Sequence, residues 1–179
     1  LVPVVDTPTI QYVVEEAVAA GIEDILIIVS SGKGAIQDHF NPSYELEQRL
    51  EASGKSEELE CIRRINSMAR IQYTYQQELL GLGHAVLQAE AFVGSDPFAI
   101  LLGDTVTTSD SKPVTAQLCA AYETTGAPVV ALETVPEEKV SRYGVVGGKE
   151  ESHDLYRVSE FVEKPSPEKA PSNLVVASR

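Results

Sequence analysis

Four short stretches combine residue types that could do chemistry. In "QQELLGLGHAV" (76–86) two glycines stand one residue apart, ahead of a histidine and an apolar run. Glycine inside a helix costs about 1 kcal/mol relative to alanine, so a pair at a helix start marks backbone laid bare. Without a Cβ, Gly81 and Gly83 let main-chain N–H groups touch a flat ring or a phosphate, and a helix opening at His84 would add the positive end of its dipole. The same pair equally suits a plain turn capping that helix. His84 has no serine, cysteine or metal-ligand spacing around it and reads as a packing or capping residue, while His39 and His153 have no partners in sequence.

"ILLGD" ends in Asp104, a carboxylate placed where the end of a buried strand could present it to a hard cation, with Gly103 leaving space beside it. An ordinary strand-to-loop aspartate has the same pattern. "VEKP" sets Glu163 and Lys164 side by side. Adjacent strand residues point to opposite faces, so both enter one cleft only if the chain bends, as Pro165 could cause; a solvated charge pair is the other reading. "SSGKGA" (30–35) resembles a phosphate loop but lacks the glycine five residues before Gly32 and the Ser or Thr after Lys33, which rejects a Walker site.

These residues need elements to hold them. Thr7 offers a capping hydroxyl, Pro8 suits the first helical position, Gly21 closes the segment, and Ile10, Val13, Val14, Ala17 and Val18 recur at helical spacing, predicting a helix over 8–20. "DILIIVS" (24–30) is a continuous β-branched run, the pattern of a strand covered on both faces in the middle of a sheet. A short helix follows at 35–40, then a charged, Leu-rich helical hairpin at 43–69 broken near "SGKS", an alternating strand at 70–75 and a helix at 84–93. "PFAILLGD" (97–104) reads as a second buried strand, 113–124 as a helix ending at Gly126, and "APVVALE" (127–133) as a further strand. Beyond it strands fall at 143–148, 155–165 and 173–179. Strands alternating with helices, then a β-rich tail, predict an α/β chain with a mixed, mostly parallel sheet flanked by helices. A strand-like "LVPVV" at the start and a strand running to residue 179 make both ends look cut.

At 179 residues and 43% hydrophobic content the chain has the size and core of one domain. Its formal charge of -13 repels a polyanion and excludes nucleic acid as a partner. A free nucleotide stays possible, because a divalent cation and a few lysines can offset its phosphates locally. No apolar run is long enough to span a membrane, and the first residues carry no signal pattern. Cys61 and Cys119, without a CxxC partner or nearby histidine, read as reduced core thiols of a cytoplasmic protein.

The succession "VDTPTIQYVVEEAVAAGIEDILIIVSSGKGAIQDHF", "YELEQRLE", "QQELLGLGHAVL", "ILLGD", "YGVV", "FVEKP" and "APSNL" resembles the bacterial UTP-glucose-1-phosphate uridylyltransferases from the first residue to the last. The glycine stretch and the length of the helical insertion at about 43–69 are the specific features. The resemblance implies a Rossmann-like nucleotide-diphospho-sugar transferase fold that forms UDP-glucose and pyrophosphate from UTP and glucose 1-phosphate with magnesium, in a cytoplasmic homo-oligomer with the hairpin as a candidate interface. Carried over by position, Gln76 binds the uracil edge, Gly83 passes close to the base, and Asp104 holds magnesium. Gly144, Glu163 and Lys164 contact the sugar and its phosphate, with Lys164 and Asp104 implied as the catalytic pair. The family's opening Gly-rich, Arg-bearing loop with its Pro-Lys pair, its second metal-binding aspartate and its C-terminal helical region have no counterpart here. The expectation is one incomplete nucleotidyltransferase domain over 1–179, with little activity of its own. Two alternatives stand beside it: a sugar-nucleotide pyrophosphorylase using dTTP, and a non-catalytic regulatory or assembly domain that kept the nucleotide fold.

Overall fold

The computed structural model describes residues 1–177, and the chain forms two compact units that meet in sequence at Val106 and Thr107. The first unit opens with an antiparallel pair, β1 (Pro3–Val4) and β2 (Thr7–Pro8). That pair changes how the first helix starts. Pro8 belongs to β2 and stands at the N-cap, so α1 (Thr9–Ala19) begins one residue later than predicted. The Thr7 hydroxyl donates to the Asp6 carboxylate at 3.1 Å instead of to the helix. The Thr9 N–H and hydroxyl both donate to the Val2 carbonyl at 2.9 Å, which satisfies a first-turn donor that no side chain caps. At the other end Gly21, at φ 88°, lets its own N–H reach the Val18 carbonyl and the Ile22 N–H reach that of Ala17, closing the helix in a Schellman motif.

β3 (Asp24–Val29) runs parallel to β4 (Arg70–Tyr75) in unbroken register, Asp24 beside Arg70 and Val29 beside Tyr75. The crossover between them contains α2 (Gly34–Phe40), α3 (Tyr44–Ala52) and α4 (Ser56–Ser67), the last two being the predicted hairpin. Ile27 and Val29 are buried with Val14 and Phe40, and Ile10, Val18, Ile36, Ile65 and Met68 pack around them. Each such side chain contributes roughly 1.5–3 kcal/mol when fully buried, so this cluster holds the unit together. At the register's start the Arg70 guanidinium forks onto Asp24 at 2.6 and 2.7 Å and holds its carboxyl below the usual range. Cys61 is exposed on α4 and not a core thiol, because the buried side of that helix carries Leu59 and Ile65.

Two strand expectations change. β3 has β4 as its one ladder neighbour among the described residues, so it does not stand mid-sheet. The stretch 97–104 forms no ladder at all, and Phe98 and Ile100 are exposed. An apolar run states a preference for burial, whereas a strand requires a neighbour to hydrogen-bond. The predicted helix at 84–93 divides into α5 (Leu82–Leu87) and α6 (Glu90–Val93).

In the second unit α7 (Val114–Thr125) ends at Gly126 in the left-handed conformation, as its sequence predicts. β5 (Leu132–Thr134), β6 (Gly144–Ser152), β7 (Leu155–Glu163) and β8 (Leu174–Val176) form a sheet in the order β5-β8-β6-β7, with every pairing antiparallel. Val135, Val140, Val145 and Val175 are its core. A β-bulge falls at Gly147/Gly148, where a Cβ on Gly148 would collide with the Arg157 carbonyl. The Ser172 hydroxyl donates to the Val146 carbonyl at 2.6 Å and accepts from the Leu174 N–H at 2.9 Å, which ties the last strand to the sheet. The last two residues of the strand expected at 173–179 lie outside the described residues. The architecture is α/β with mixed pairing, as expected. Among the described residues its parallel pairing is confined to β3 and β4, because 97–104 and 127–131 add no ladder.

Candidate functional site

β4 ends where the glycine stretch begins, and the ladder sets the position of the next residue: the Gln76 N–H donates to the Val29 carbonyl at 2.9 Å. Its half-buried side chain folds back over the turn. Gln76 Nε2 lies 3.0 Å from the Gly81 carbonyl oxygen and 3.0 Å from His84 Nδ1. Gly81 has φ 92°, where a side chain is strained, and stands at the N-cap of α5. Gly83 is helical instead, and a Cβ there would meet nothing within 4 Å. The glycine pair therefore divides its work: Gly81 makes the turn, and Gly83 leaves open space beside the chain. With six residues, α5 is too short for the dipole argument that the sequence invited.

Beside this turn a cleft of about 290 Å³ is lined by Tyr75, Gln77, Glu78, His84 and Gln88. Gln37 donates to the Tyr75 hydroxyl at 3.0 Å, and Gln88 Nε2 donates to the His84 carbonyl at 3.1 Å. His84 is thus neither a cap nor a core residue; its ring is joined to Gln76. The signal available in sequence was a Gln and a His on either side of a glycine turn, but nothing in the spacing says that the turn brings them together.

Asp104 is exposed on a turn after the unladdered segment and does not stand at a strand end. Its polar neighbour is the Thr105 hydroxyl at 3.4 Å. Gly103 is close to α1, since a Cβ there would lie 3.3 Å from Ile10 Cδ1. Among the described residues no three His, Cys, Asp or Glu side chains gather to hold a metal ion. A lone carboxylate fits a cation that arrives with phosphate and water ligands, and does not fit one held by protein alone.

In the second unit the structure brings Gly144, Glu163 and Lys164 together. Gly144 is the register partner of Glu163, and a Cβ on it would lie 3.3 Å from Glu163 Oε2. Lys164 adopts φ 46°, uncommon for a residue with a side chain, and its N–H donates to the Tyr143 carbonyl at 2.9 Å. The bend falls on Lys164 itself, one residue before the buried Pro165, and returns its ammonium to 3.2 Å from Glu163 Oε1. Both side chains stay exposed. Lys33, in the rejected phosphate-loop stretch, sits at the N-cap of α2.

A family model described as nucleotidyl transferase matches residues 1–178. The whole chain is 48% identical to a UTP-glucose-1-phosphate uridylyltransferase, YngB, of Bacillus subtilis, and covers 60% of that protein. Among solved structures, a UTP-bound UGPase of Acinetobacter baumannii superposes with a TM-score of 0.93 at 37% identity, over 99% of this chain and 64% of the other. A UDP-glucose pyrophosphorylase complexed with UDP-glucose gives a TM-score of 0.85 at 39% identity, over 98% of this chain and 64% of the other. The chain spans about three-fifths of the length of the curated relatives it matches. No helix among the described residues is long and apolar enough to cross a membrane.

Proposed function

The chain belongs to the nucleotidyl transferase family, and from that premise we propose that the protein forms UDP-glucose and pyrophosphate from UTP and glucose 1-phosphate. The supporting observation is the Gln76 amide, anchored at the end of β4 with its Nε2 engaged twice and its Oε1 without a partner among the described residues. An amide in that state can read the imide edge of uracil, while the open space beside Gly83 admits the flat ring.

On this reading Gln76 and Gly83 hold the base, and Gly144, Glu163 and Lys164 hold the sugar phosphate. The exposed Lys164–Glu163 ion pair is worth at most about 1 kcal/mol, so a phosphate dianion can displace the carboxylate from the ammonium at small cost. Glu163 is then released to accept hydrogen bonds from sugar hydroxyls. The sugar-phosphate oxygen attacks the α-phosphorus of UTP, and the bond to the bridging oxygen of pyrophosphate breaks in line. The Lys164 ammonium offsets negative charge on the sugar phosphate, and no side chain has to accept a proton. Magnesium, held through Asp104, would neutralise charge on the triphosphate. Tyr44 and Leu46, exposed on α3, make the hairpin the candidate face for a second copy of the chain, which light scattering would detect.

Calorimetric titration of UTP with magnesium into the wild type and Gln76→Ala tests the base-reading role. We expect the substitution to weaken binding about tenfold, the value of one lost hydrogen bond to a buried partner. Equal heats for the two proteins would remove it.

A further inference from the structure

We infer that His84 is a positioning residue for base selection: neutral, with its proton on Nε2, it turns the Gln76 amide so that the base meets an acceptor only. This deepens the base-reading role proposed for Gln76 and rests on it.

A backbone carbonyl can only accept, so the Gln76 atom 3.0 Å from the Gly81 oxygen is the NH2 nitrogen. The same nitrogen lies 3.0 Å from His84 Nδ1. Two N–H groups cannot face each other at that distance, so Nδ1 carries no proton and accepts. A neutral imidazole with a bare Nδ1 has its proton on Nε2, and an imidazolium, protonated on both nitrogens, does not fit. One contact argues the other way: Gln88 Nε2 stands 3.5 Å from His84 Nε2, as if that nitrogen accepted. The Gln88 NH2 already donates to the His84 carbonyl at 3.1 Å, and 3.5 Å is the outer limit of a hydrogen bond, so the shorter Gln76 contact decides the tautomer. The titratable side chains lining the cleft with His84 are Tyr75 and Glu78.

Both hydrogens of the Gln76 amide are therefore engaged, one by Gly81 and one by His84. Its Oε1 has no partner among the described residues. An acceptor held this way matches a pyrimidine whose N3 bears hydrogen, as in uracil and thymine. It meets cytosine, whose N3 is a lone pair, with repulsion. Without the His84 acceptor the amide keeps one anchor and can turn its second N–H toward the ligand, so discrimination weakens. A site that commits its buried groups to one polarity rejects the wrong partner far better than a site that can reorient.

Two measurements test this. The first needs no nucleotide: two-bond ¹H–¹⁵N correlation spectra of the wild type at pH 7.5 should show the Nε2–H tautomer of His84, and the Nδ1–H form or the cation would overturn the inference. The second is the ratio of UTP to CTP affinity by titration calorimetry with magnesium. His84→Phe keeps a ring but no acceptor and should lower the ratio about tenfold, whereas His84→Asn, whose Oδ1 can stand where Nδ1 stood, should keep it within about threefold. If Gln76→Ala abolishes the preference and His84→Phe leaves it intact, the His84 inference falls while the base-reading role stands. If neither substitution alters the preference, or the wild type has none, both fall.

Discussion

Two glutamines in the first unit each hold a histidine, and they do so with opposite polarity. Gln11, on α1 and 7% exposed, donates through Nε2 to the Glu15 carboxylate at 2.8 Å, which leaves its Oε1 to accept from His39 Nε2 at 2.9 Å. Both the nitrogen and the oxygen of that amide have a partner. Gln76 donates twice through Nε2, and its Oε1 has no partner among the described residues. The first pair joins α1 to α2 beside the core. The second leaves its amide oxygen without a partner among the described residues, which is the state our proposal uses. A half-buried amide closed at both ends is architecture; one held firmly at one end and left unfilled at the other is a recognition group.

The widest separation between the two pairs should come from stability. Gln11→Ala leaves the His39 N–H and a cavity beside the core, and should cost about 2–3 kcal/mol in denaturant unfolding. Gln76→Ala should cost under about 1 kcal/mol on the same scale, since its site is half open. If the two losses are equal, the contrast between architecture and recognition disappears. The glycines of the open turn give the next effect. Gly81→Ala, forced into φ 92°, should destabilise by about 1–2 kcal/mol. Gly83→Ala should be neutral or stabilising without ligand by up to about 1 kcal/mol, yet weaken UTP binding if the ring lies against that backbone.

A smaller effect distinguishes the closed pair by pH. Burial pushes His39 below its ordinary value, so the unfolded chain takes up a proton more readily than the folded one. The stability this protects is complete above about pH 6.5 and declines as the pH falls through that value. Tm should therefore drop between pH 7.5 and 5.5, and His39→Gln, which can still donate to Gln11, should show a shallower decline. Parallel curves would mean that His39 does not contribute. The smallest effect is expected at Tyr73, whose buried hydroxyl has no partner among the described residues and whose pKa burial raises. Tyr73→Phe should be neutral or stabilising by up to about 1 kcal/mol, in contrast to the satisfied Gln11. A loss above that amount would show that the hydroxyl is bonded in solution.

Much of this molecule was legible before its structure. The alternation in "RIQYTY" marks β4 to the residue, the break at "SGKS" divides α3 from α4, and Gly21 and Gly126 end their helices where the sequence places them. The grouping of Gly144, Glu163 and Lys164 was legible only through resemblance, since strand alternation alone sends the two charged side chains to opposite faces. The part played by His84 was not legible at all. It depends on which nitrogen a folded turn brings within 3.0 Å, and a one-dimensional spacing contains no such distance.

The sequence by itself determined the α/β class, most element boundaries and a net charge of -13, because periodicity, capping and net charge act over a few residues or over the whole chain. Tertiary structure alone decided which apolar runs become strands, where the chain bends to pair Lys164 with Glu163, and which way the Gln76 amide faces. The physical reason is the same in all three cases. A ladder, an ion pair and a hydrogen-bond polarity are each settled by what stands opposite, and in a folded chain that group comes from a place the local pattern does not specify.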